Sequence, residues 1–330
     1  MATISDVAAM AGVSTATVSR ALNGKSTVDP ELVARVLAAA KELGYQPNGP
    51  ARNLRRQEAA VLALIISDVE NPFFTAIARG VEDVAHTVGY SVVLCNADEN
   101  ADKERRYVDV AIQERVAGVI MSPTPDVRNA DLLINRNTPL VAVDRPLPDR
   151  LVDTVLVDTR LAARQATEHL LAKGYTRIGC VTGPSGVRTA DDRLSGYRDA
   201  LRAAGVRTSP RLVRRTEFRA AGARKAAAEL LAHSSPDALL VANSAMATGV
   251  LAALGEAGRR PGREVGVVAF DDVAWAELID PPLTVVAQPA YEMGTVAAQL
   301  LLARIADNGR AATTTTLAAR LIERGSSHRG

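Results

Sequence analysis

Residues 3–23, TISDVAAMAGVSTATVSRALN, predict two short helices joined by a tight turn. The first helix presents one apolar face, formed by Ile4, Val7, Ala8 and Ala11. Thr3 precedes this helix and is expected to cap it, because a threonine hydroxyl accepts a hydrogen bond from an unpaired N–H of the first turn. Gly12 ends the helix, since glycine adopts a positive φ at little cost. Ser14 then caps the second helix, which runs to about Leu22.

The second predicted helix has a polar outer face. Its inward positions are Val18, Ala21 and Leu22. The outer face consists of Thr15, Ala16, Thr17, Ser19 and Arg20. Such a face suits the major groove of DNA, because hydroxyls bond phosphates and base edges, an alanine contacts a thymine methyl, and an arginine forks onto guanine O6 and N7. An ordinary surface helix in a three-helix bundle is the alternative, and the spacing alone does not separate the two.

A third helix follows, with Asp29 as its cap and Pro30 at its first position. Its buried face is predicted to consist of Leu32, Val33, Val36, Leu37, Ala40 and Leu43. Tyr45 and Pro47 then close a small all-α helix-turn-helix head, residues 1–47.

The spacing T-I-x-D-V-A-x-x-A-G-V-S-x-x-T-V-S-R-x-L-N resembles the N-terminal signature of the lactose-repressor/galactose-repressor family of bacterial transcription regulators. Within that family the head is most similar to that of the purine repressors. The resemblance continues through Tyr45-Gln46-Pro47-Asn48 and Ala51-Arg52-Asn53-Leu54, and more loosely down the chain to Arg320-Leu321-Ile322-Glu323-Arg324. It implies a homodimer that reads a near-palindromic DNA operator and responds to a small molecule.

The resemblance also assigns roles in DNA binding. Thr15, Ala16 and Arg20 are expected to read bases. Residues expected to hold phosphates or to frame the turn are Thr3, Ser14, Thr17, Ser19, Asn23, Lys25, Asn48 and Ala51. In the family a linker, here residues 48–58, becomes a helix on DNA, and a leucine at the place of Leu54 wedges between base pairs. Pro50 departs from the family but lies in the first turn, where a missing N–H is tolerated; a plain interdomain linker is the alternative.

From residue 59 the pattern changes to alternating strands and helices. The strand-like runs are VLALIIS, SVVLCNA, GVIMS, LVAVD, RIGCVTG, LVRRTEF, ALLVANS and EVGVVAFDD. Helices are predicted between them, including one over residues 193–204, then a helix from Tyr291 and a C-terminal strand pair. Continuous apolar strands in repeated βα units predict an α/β body of two doubly wound parallel-sheet subdomains.

The family resemblance, which extends to periplasmic sugar-binding proteins, implies that the chain crosses between the two subdomains more than once. It assigns residues 59–157 and 288–317 to the first subdomain, and residues 158–287 and 318–330 to the second.

Ligands of doubly wound sheets bind beyond the carboxyl ends of the strands. Polar residues at those ends are Ser67, Asp68, Asn96, Asp144, Arg145, Asn243, Asp271, Asp272 and Gln288. The resemblance adds Phe73 and Phe74 as an aromatic lip, Thr189 and Arg193 on one wall, and Phe218 on the opposite wall. Arginine forks and carboxylates pair with adjacent sugar hydroxyls, while aromatic rings cover C–H faces. These residues therefore predict a sugar-binding effector cleft.

Structural roles are the alternative for each cleft residue. Asp271 would cap a helix, Phe73 and Phe74 would be core residues, and Arg193 would stabilise a helix end through an ion pair. Ser244 stands where the family commonly has an aspartate, and Thr159 where it commonly has an asparagine. Both departures argue against direct transfer of any known ligand.

Composition favours a cytoplasmic globular protein with no cofactor and no metal. The chain has 330 residues, 47% hydrophobic and 23% charged, without a membrane-length apolar run or a secretory signal. Its net charge of +2 comes from residues 1–58, which hold seven basic and five acidic residues. Cys95 and Cys180 end apolar runs, which favours buried thiols, and the four histidines lack ligand spacing.

No sequence motif predicts an enzyme. GCVTGPSG at residues 179–186 loosely resembles a dinucleotide-binding loop, but its spacing is not G-x-G-x-x-G, and no G-x-x-x-x-G-K-[ST] occurs. We therefore expect a repressor that a sugar or sugar derivative releases from its operator. A purine- or other metabolite-corepressed regulator and a solute-binding module with a vestigial head are the alternatives. The absence of leucine heptads near the end predicts a dimer rather than a tetramer.

Overall fold

The computed structural model describes residues 2–22, 28–45 and 59–329. The chain divides into two compact units, residues 1–59 and 60–330, here called the head and the body. The predictions that fall outside the described residues concern Asn23, Lys25, Asn48, Pro50, Ala51, Leu54 and the linker over residues 48–58. No helix of the described residues is long and apolar enough to cross a membrane.

The head contains three helices, α1 (Ile4–Ala11), α2 (Thr15–Leu22) and α3 (Pro30–Glu42). The predicted caps are confirmed. Thr3 and Asp6 form a reciprocal capping box at the start of α1, and Ser14 Oγ accepts a hydrogen bond from the N–H of Thr17 at 3.1 Å.

Gly12 ends α1 with φ 63°. In the turn around it, Arg35 Nη2 donates a hydrogen bond of 2.5 Å to Ala11 O. A glycine and a partner from α3 therefore fix the angle between α1 and α2.

The buried core of the head consists of Val7, Ala8, Ala11, Val18, Ala21, Val36, Ala39 and Ala40. Two predictions about this core are wrong. Leu37 is 52% exposed, because the buried row of α3 runs through Val36, Ala39 and Ala40, and Leu37 lies about 100° away from Val36 around the helix. Ser19 is 6% exposed and lies beside Val18 on the inner side of α2, not on its outer face.

The body contains two six-stranded sheets. The elements from residue 59 to residue 157 are β1 (Ala59–Ile66), α4 (Pro72–Thr87), β2 (Ser91–Asn96), α5 (Ala101–Gln113), β3 (Val116–Met121), α6 (Arg128–Asn135), β4 (Leu140–Val143) and β5 (Asp153–Val157). Their strands pair in parallel, and the first sheet has the order β11-β5-β4-β3-β1-β2, in which β11 is Thr314–Leu317.

The second sheet is built by the next part of the chain. Its elements are α7 (Thr159–Ala172), β6 (Ile178–Thr182), α8 (Arg188–Ala203), β7 (Val213–Arg215), α9 (Ala220–Ser234), β8 (Ala238–Val241), α10 (Ser244–Glu256), β9 (Gly266–Phe270) and β10 (Thr284–Ala287). Its strand order is β12-β10-β9-β8-β6-β7, in which β12 (Arg320–Ile322) is antiparallel to β10. Continuous apolar strands between helix layers explain why both sheets are buried.

The chain passes between the sheets three times. After β10 it enters α11 (Ala290–Ala306), whose apolar residues belong to the core beneath the first sheet. β11 then joins the first sheet and β12 the second. We call residues 60–157 and 290–317 the first lobe, and residues 159–287 and 320–329 the second lobe.

Close packing holds α11 against α4 in the first lobe. A Cβ added at Gly80 would overlap the carbonyl oxygen of Tyr291, and one added at Gly294 would overlap that of Ile77. The two backbones therefore touch where neither residue has a side chain, which fixes the returning helix in the first lobe.

Three details of the predicted body need correction. The helix predicted over residues 193–204 begins five residues earlier, at Arg188, so Arg193 lies inside α8. The two C-terminal strands do not pair with each other, because they are edge strands of different sheets. β5 and β10 were both missing from the predicted strands.

Candidate functional site

Two acidic residues occupy matching places in the two lobes. Asp144 follows β4 and Asp271 follows β9, and their backbone N–H groups donate to Val155 O and Val286 O, both at 3.0 Å. Their φ values are 69° and 74°. Left-handed backbone costs a non-glycine residue on the order of 1 kcal/mol and is concentrated at functional sites. Both carboxylates are buried and line the space between the lobes.

Arg145 lies beside Asp144 and is 5% exposed. Its Nη1 and Nη2 donate to the two carboxylate oxygens of Glu99 at 2.8 and 2.5 Å. Its Nε lies 3.3 Å from Asp144 Oδ2 but forms no hydrogen bond. One donor of this buried guanidinium is therefore unused, which is costly unless a ligand takes it.

Arg193 comes from the interior of α8 and is also 5% exposed. Its Nη1 donates to Ala242 O at 2.7 Å, and its guanidinium carbon lies 4.3 Å from the centre of the Phe270 ring. Its Nε is buried and has no hydrogen-bond partner among the described residues. The alternative role for Arg193, an ion pair at a helix end, is wrong, since the residue is neither at an end nor ion-paired.

Asp271 is held by donors from two segments. Gln288 Nε2 donates to its Oδ1 at 2.7 Å, and the N–H of Ser244 donates to its Oδ2 at 3.2 Å. Asn243 caps α10 by accepting a hydrogen bond from the N–H of Met246 at 2.7 Å. Oε1 of Gln288 is buried without a hydrogen-bond partner in the described part of the chain. The buried Oε1 of Gln288 and the Nε groups of Arg145 and Arg193 therefore lie near one another without hydrogen-bond partners among the described residues.

Aromatic rings form the walls of this space. Phe73 and Phe74, at the start of α4, meet edge to face with centroids 5.1 Å apart, and both belong to the core of the first lobe. Phe218 stands opposite, and its ring lies where a side chain at Gly183 would be. Gly183 of the GCVTGPSG stretch therefore makes room for the Phe218 ring rather than for a dinucleotide.

Burial shifts the pKa values of the charged groups. It raises the pKa of Asp144 and of Asp271, against the opposing effect of nearby arginines. It lowers the pKa of Arg193 for the same reason. These are the shifts expected of charges that are removed from water and only partly compensated by neighbours.

All ten predicted effector-binding residues line one cavity between the lobes, of about 30 Å³. They are Phe73, Phe74, Asp144, Arg145, Thr189, Arg193, Phe218, Asn243, Asp271 and Gln288. Asp68, Asn71 and Glu99 also line it. Asp68 was visible as a strand-end residue, and Asn71 directly precedes the predicted aromatic lip, whereas no sequence signal points to Glu99.

Other strand-end and departing residues lie outside this cavity. They are Ser67, Asn96, Thr159 and Asp272. Ser244 contributes its backbone N–H to Asp271, so its replacement of an aspartate removes one carboxylate from the site without removing the donor. The departure at Thr159 does not bear on the cavity.

A larger groove of about 650 Å³ lies next to the cavity and shares Phe73, Asp271 and Gln288 with it. Its other lining is mostly apolar and includes Trp275, Tyr291 and three residues of the segment after β10. Asp271 and Gln288 line both spaces, whereas Arg145 and Arg193 line only the smaller cavity.

The outer face of α2 is the second candidate site. Ser14, Thr15, Ala16 and Arg20 are exposed, and Thr17 is half-buried, with its hydroxyl 2.9 Å from that of Ser14. The hydroxyl of Thr3 already donates to Asp6 at 2.8 Å. A methyl, a free hydroxyl and an arginine thus stand together on an open helix face.

Two family models match the chain. Residues 3–48 match the bacterial regulatory proteins of the lacI family, and residues 167–327 match the periplasmic binding protein-like domain. The chain is 39% identical over 308 residues to the ribose operon repressor of Halalkalibacterium halodurans, covering 92% of this chain and 91% of that protein.

Solved structures agree along the whole chain. The complex of the transcriptional regulator CelR with cellobiose matches with a TM-score of 0.76 at 33% identity, covering 99% of this chain and 100% of that one. The lac repressor dimer bound to operator and the anti-inducer ONPF matches with a TM-score of 0.87 at 27% identity, covering 99% of each chain.

A helix-turn-helix head joined to a two-lobed body with a polar cleft defines a ligand-responsive class of transcription regulator. The chain belongs to the lacI family of bacterial regulatory proteins, whose members are DNA-binding transcription regulators rather than enzymes. The predicted family and the predicted fold class are thereby confirmed.

Proposed function

We propose that this protein is a cytoplasmic, non-catalytic repressor that binds a near-palindromic operator as a homodimer and is released from it by a neutral sugar. In this proposal residues 1–47 read DNA, residues 48–58 form the hinge, and the two lobes bind the effector. The effector domains are residues 59–157 with 288–317, and residues 158–287 with 318–330.

On the DNA, Thr15, Ala16 and Arg20 read base edges, and Leu54 wedges into the minor groove. The exposure of the first three residues supports this assignment. Phosphate-holding and turn-framing roles go to Thr3, Ser14, Thr17, Ser19, Asn23, Lys25, Asn48 and Ala51. The buried position of Ser19 favours the framing role for that residue.

The effector is a sugar because three buried polar groups of the cleft have no hydrogen-bond partner among the described residues. Buried donors on Arg145 and Arg193 and a buried acceptor on Gln288 lack partners among the described residues, and three phenylalanines flank them. Adjacent hydroxyls offer donors and acceptors together, while the rings cover C–H faces. This set of unpaired groups is the observation on which the proposal rests.

The effector is neutral because carboxylates outnumber arginines in the cleft. Asp68, Glu99, Asp144 and Asp271 line the cavity together with two arginines. An anionic sugar would meet this excess of negative charge without a free positive partner. The relatives named for ribose and cellobiose point to the same class of ligand.

Release follows from a difference in affinity. A ligand shifts the equilibrium between DNA-binding and released forms only by the ratio of its affinities for the two. We propose that the sugar binds the released form more tightly, because closure around it moves the first lobes and with them the hinge segments.

Fluorescence anisotropy with duplexes from the upstream region of the protein's own gene tests the proposal. The full chain should bind one duplex well above a scrambled competitor, and D-ribose, D-glucose or another neutral sugar should release it. Absence of any sequence preference would contradict the DNA-binding role. Tightening by hypoxanthine, with no effect of any sugar, would replace sugar release by purine corepression.

A further inference from the structure

A single arginine ties the two lobes together by charge. Arg219 precedes α9 in the second lobe, and its guanidinium reaches three carboxylates of the first lobe. Nη1 lies 2.6 Å from Glu70 Oε2 and 3.3 Å from Asp68 Oδ2, and Nη2 contacts Asp98 Oδ1. All other ion pairs of residues 59–329 join groups within one lobe.

These ion pairs border the effector cavity directly. Asp68 lines the cavity and pairs with Arg219, and Phe218, the residue before Arg219, forms the opposite wall. The Asp68 side chain is 8% exposed and that of Arg219 is 39% exposed. The cluster therefore spans from the cavity to solvent, which is the position of a closure over the mouth of the cleft.

The charges favour the closed arrangement. When the lobes separate, Arg219 leaves three carboxylates that face one another, with only Lys103 beside Asp98 at 3.2 Å. Burial raises the pKa of Asp68, which the Arg219 charge partly offsets. The attraction between Arg219 and the three carboxylates favours the closed arrangement. The repulsion among those carboxylates when Arg219 is absent disfavours the open one.

Resting on the function proposed above, we propose that Arg219 is a specificity-determining residue, because it closes the mouth of the cleft behind the sugar and excludes sugars with a substituent projecting through it. The contacts of Arg219 span the mouth of the cleft, so they must break to admit a sugar and form again once it is bound. A bulky aglycone at the mouth would hold Arg219 away from its three partners.

Calorimetry on the full chain tests this selection. The probes are D-ribose, D-glucose and D-galactose, each compared with its methyl and its p-nitrophenyl β-glycosides. The measured quantity is the ratio of the dissociation constant of each glycoside to that of its free sugar. Arg219→Ala should lower this ratio about tenfold, which corresponds to about 1.4 kcal/mol. Arg219→Lys, which keeps the charge but loses the fork, should give an intermediate ratio.

Arg224→Ala is the matched control. Arg224 lies on α9 as well, but it pairs with Glu256 of the same lobe, so its loss should leave the ratio unchanged. If Arg219→Ala binds free sugars and leaves the ratio unchanged, the inference fails while the proposed function stands. If the wild type binds none of these sugars, the proposed function fails and the inference fails with it.

Lobe separation provides a second measurement that needs no ligand. Spin labels at Asp102→Cys in the first lobe and Lys225→Cys in the second report the distance between the lobes. Cys95 and Cys180 are buried and should stay unlabelled. Arg219→Ala, or wild type at about 1 M salt, should broaden the distance distribution toward longer values, whereas Arg224→Ala should not. Identical distance distributions for wild type and Arg219→Ala would contradict the proposal that Arg219 holds the lobes closed.

Discussion

The outer face of α2 and the cleft of the body expose their polar groups to opposite degrees. Thr15 and Arg20 are open to solvent, whereas Arg145, Arg193, Asp144 and Asp271 are each at most 8% exposed. The exposed helix face fits a DNA groove that is wide enough to admit a helix. Without DNA its polar groups are hydrated, so the free state costs little. A buried cleft must satisfy its charges internally, so Arg145 binds Glu99 and Gln288 binds Asp271 until a ligand arrives. Ligand binding in the cleft therefore competes with these internal partners.

The largest expected effect comes from the buried side. Arg193→Ala should weaken sugar binding about 100-fold or more, because it removes charged hydrogen bonds of about 1.5–3 kcal/mol each. Calorimetry and sugar-induced release from DNA both measure it. Arg188→Ala, on the same helix but ion-paired with Asp192 at the surface, serves as control. Equal sugar affinity of wild type and Arg193→Ala would remove the arginine from the site.

On the exposed side, Arg20→Ala should lower affinity for the operator about 10- to 100-fold and change non-specific binding far less. One bidentate contact to guanine accounts for about 1–3 kcal/mol of discrimination. Anisotropy against operator and scrambled duplexes measures the two affinities. Arg20→Lys keeps the charge but loses the fork, so it should retain non-specific binding and lose discrimination. Uniform weakening on all sequences would assign Arg20 to the phosphates.

The turn that presents the open face should be sensitive to one methyl group. Gly12→Ala should destabilise the head by about 1–2 kcal/mol, because a left-handed alanine is strained and its Cβ would lie 2.9 Å from Arg35 Nη2. Hydrogen exchange of the α1 and α2 amides in the full chain measures the loss. Gly44→Ala has the same backbone strain with no atom nearby, so a larger effect there would contradict the role of Arg35.

The smallest effect is a pH dependence confined to the cleft. Burial raises the pKa of Asp271, and Gln288 and Ser244 both donate to its carboxylate. Protonation removes this acceptor, so sugar affinity should fall as the pH is lowered, and the fall should begin at a higher pH than for an exposed aspartate. Calorimetry of wild type and Asp271→Asn tests it; an equally steep curve for the amide variant would place the titrating group elsewhere.

Local signals made most of the head predictable. The Thr3–Asp6 capping box, the Ser14 cap and Gly12 depend on residues at most four positions apart. The prediction failed at Ser19 and Leu37, because an eight- or thirteen-residue helix offers more than one apolar row, and packing against the other helices selects between them.

In the body, a general rule located the cleft. Ligands bind at the carboxyl ends of the strands in a doubly wound sheet. This rule and the family resemblance together selected ten residues, all of which line one cavity. Glu99 was missed, because its role depends on Arg145, 46 positions further along the chain. The partners of Arg219 lie 121 to 151 positions away, so only the folded lobes bring these charges together.

The return of the chain to the first sheet has a consequence for biosynthesis. The first sheet lacks its edge strand, and its core lacks a whole helix, until residues 290–317 have been made. The second sheet likewise lacks its edge strand until Arg320–Ile322 has been made. Because both lobes gain their last strands from the same short stretch, a ribosome that stalls near residue 288 would release a polypeptide in which neither half is finished. Nascent chains should therefore acquire protease resistance in one late step rather than lobe by lobe.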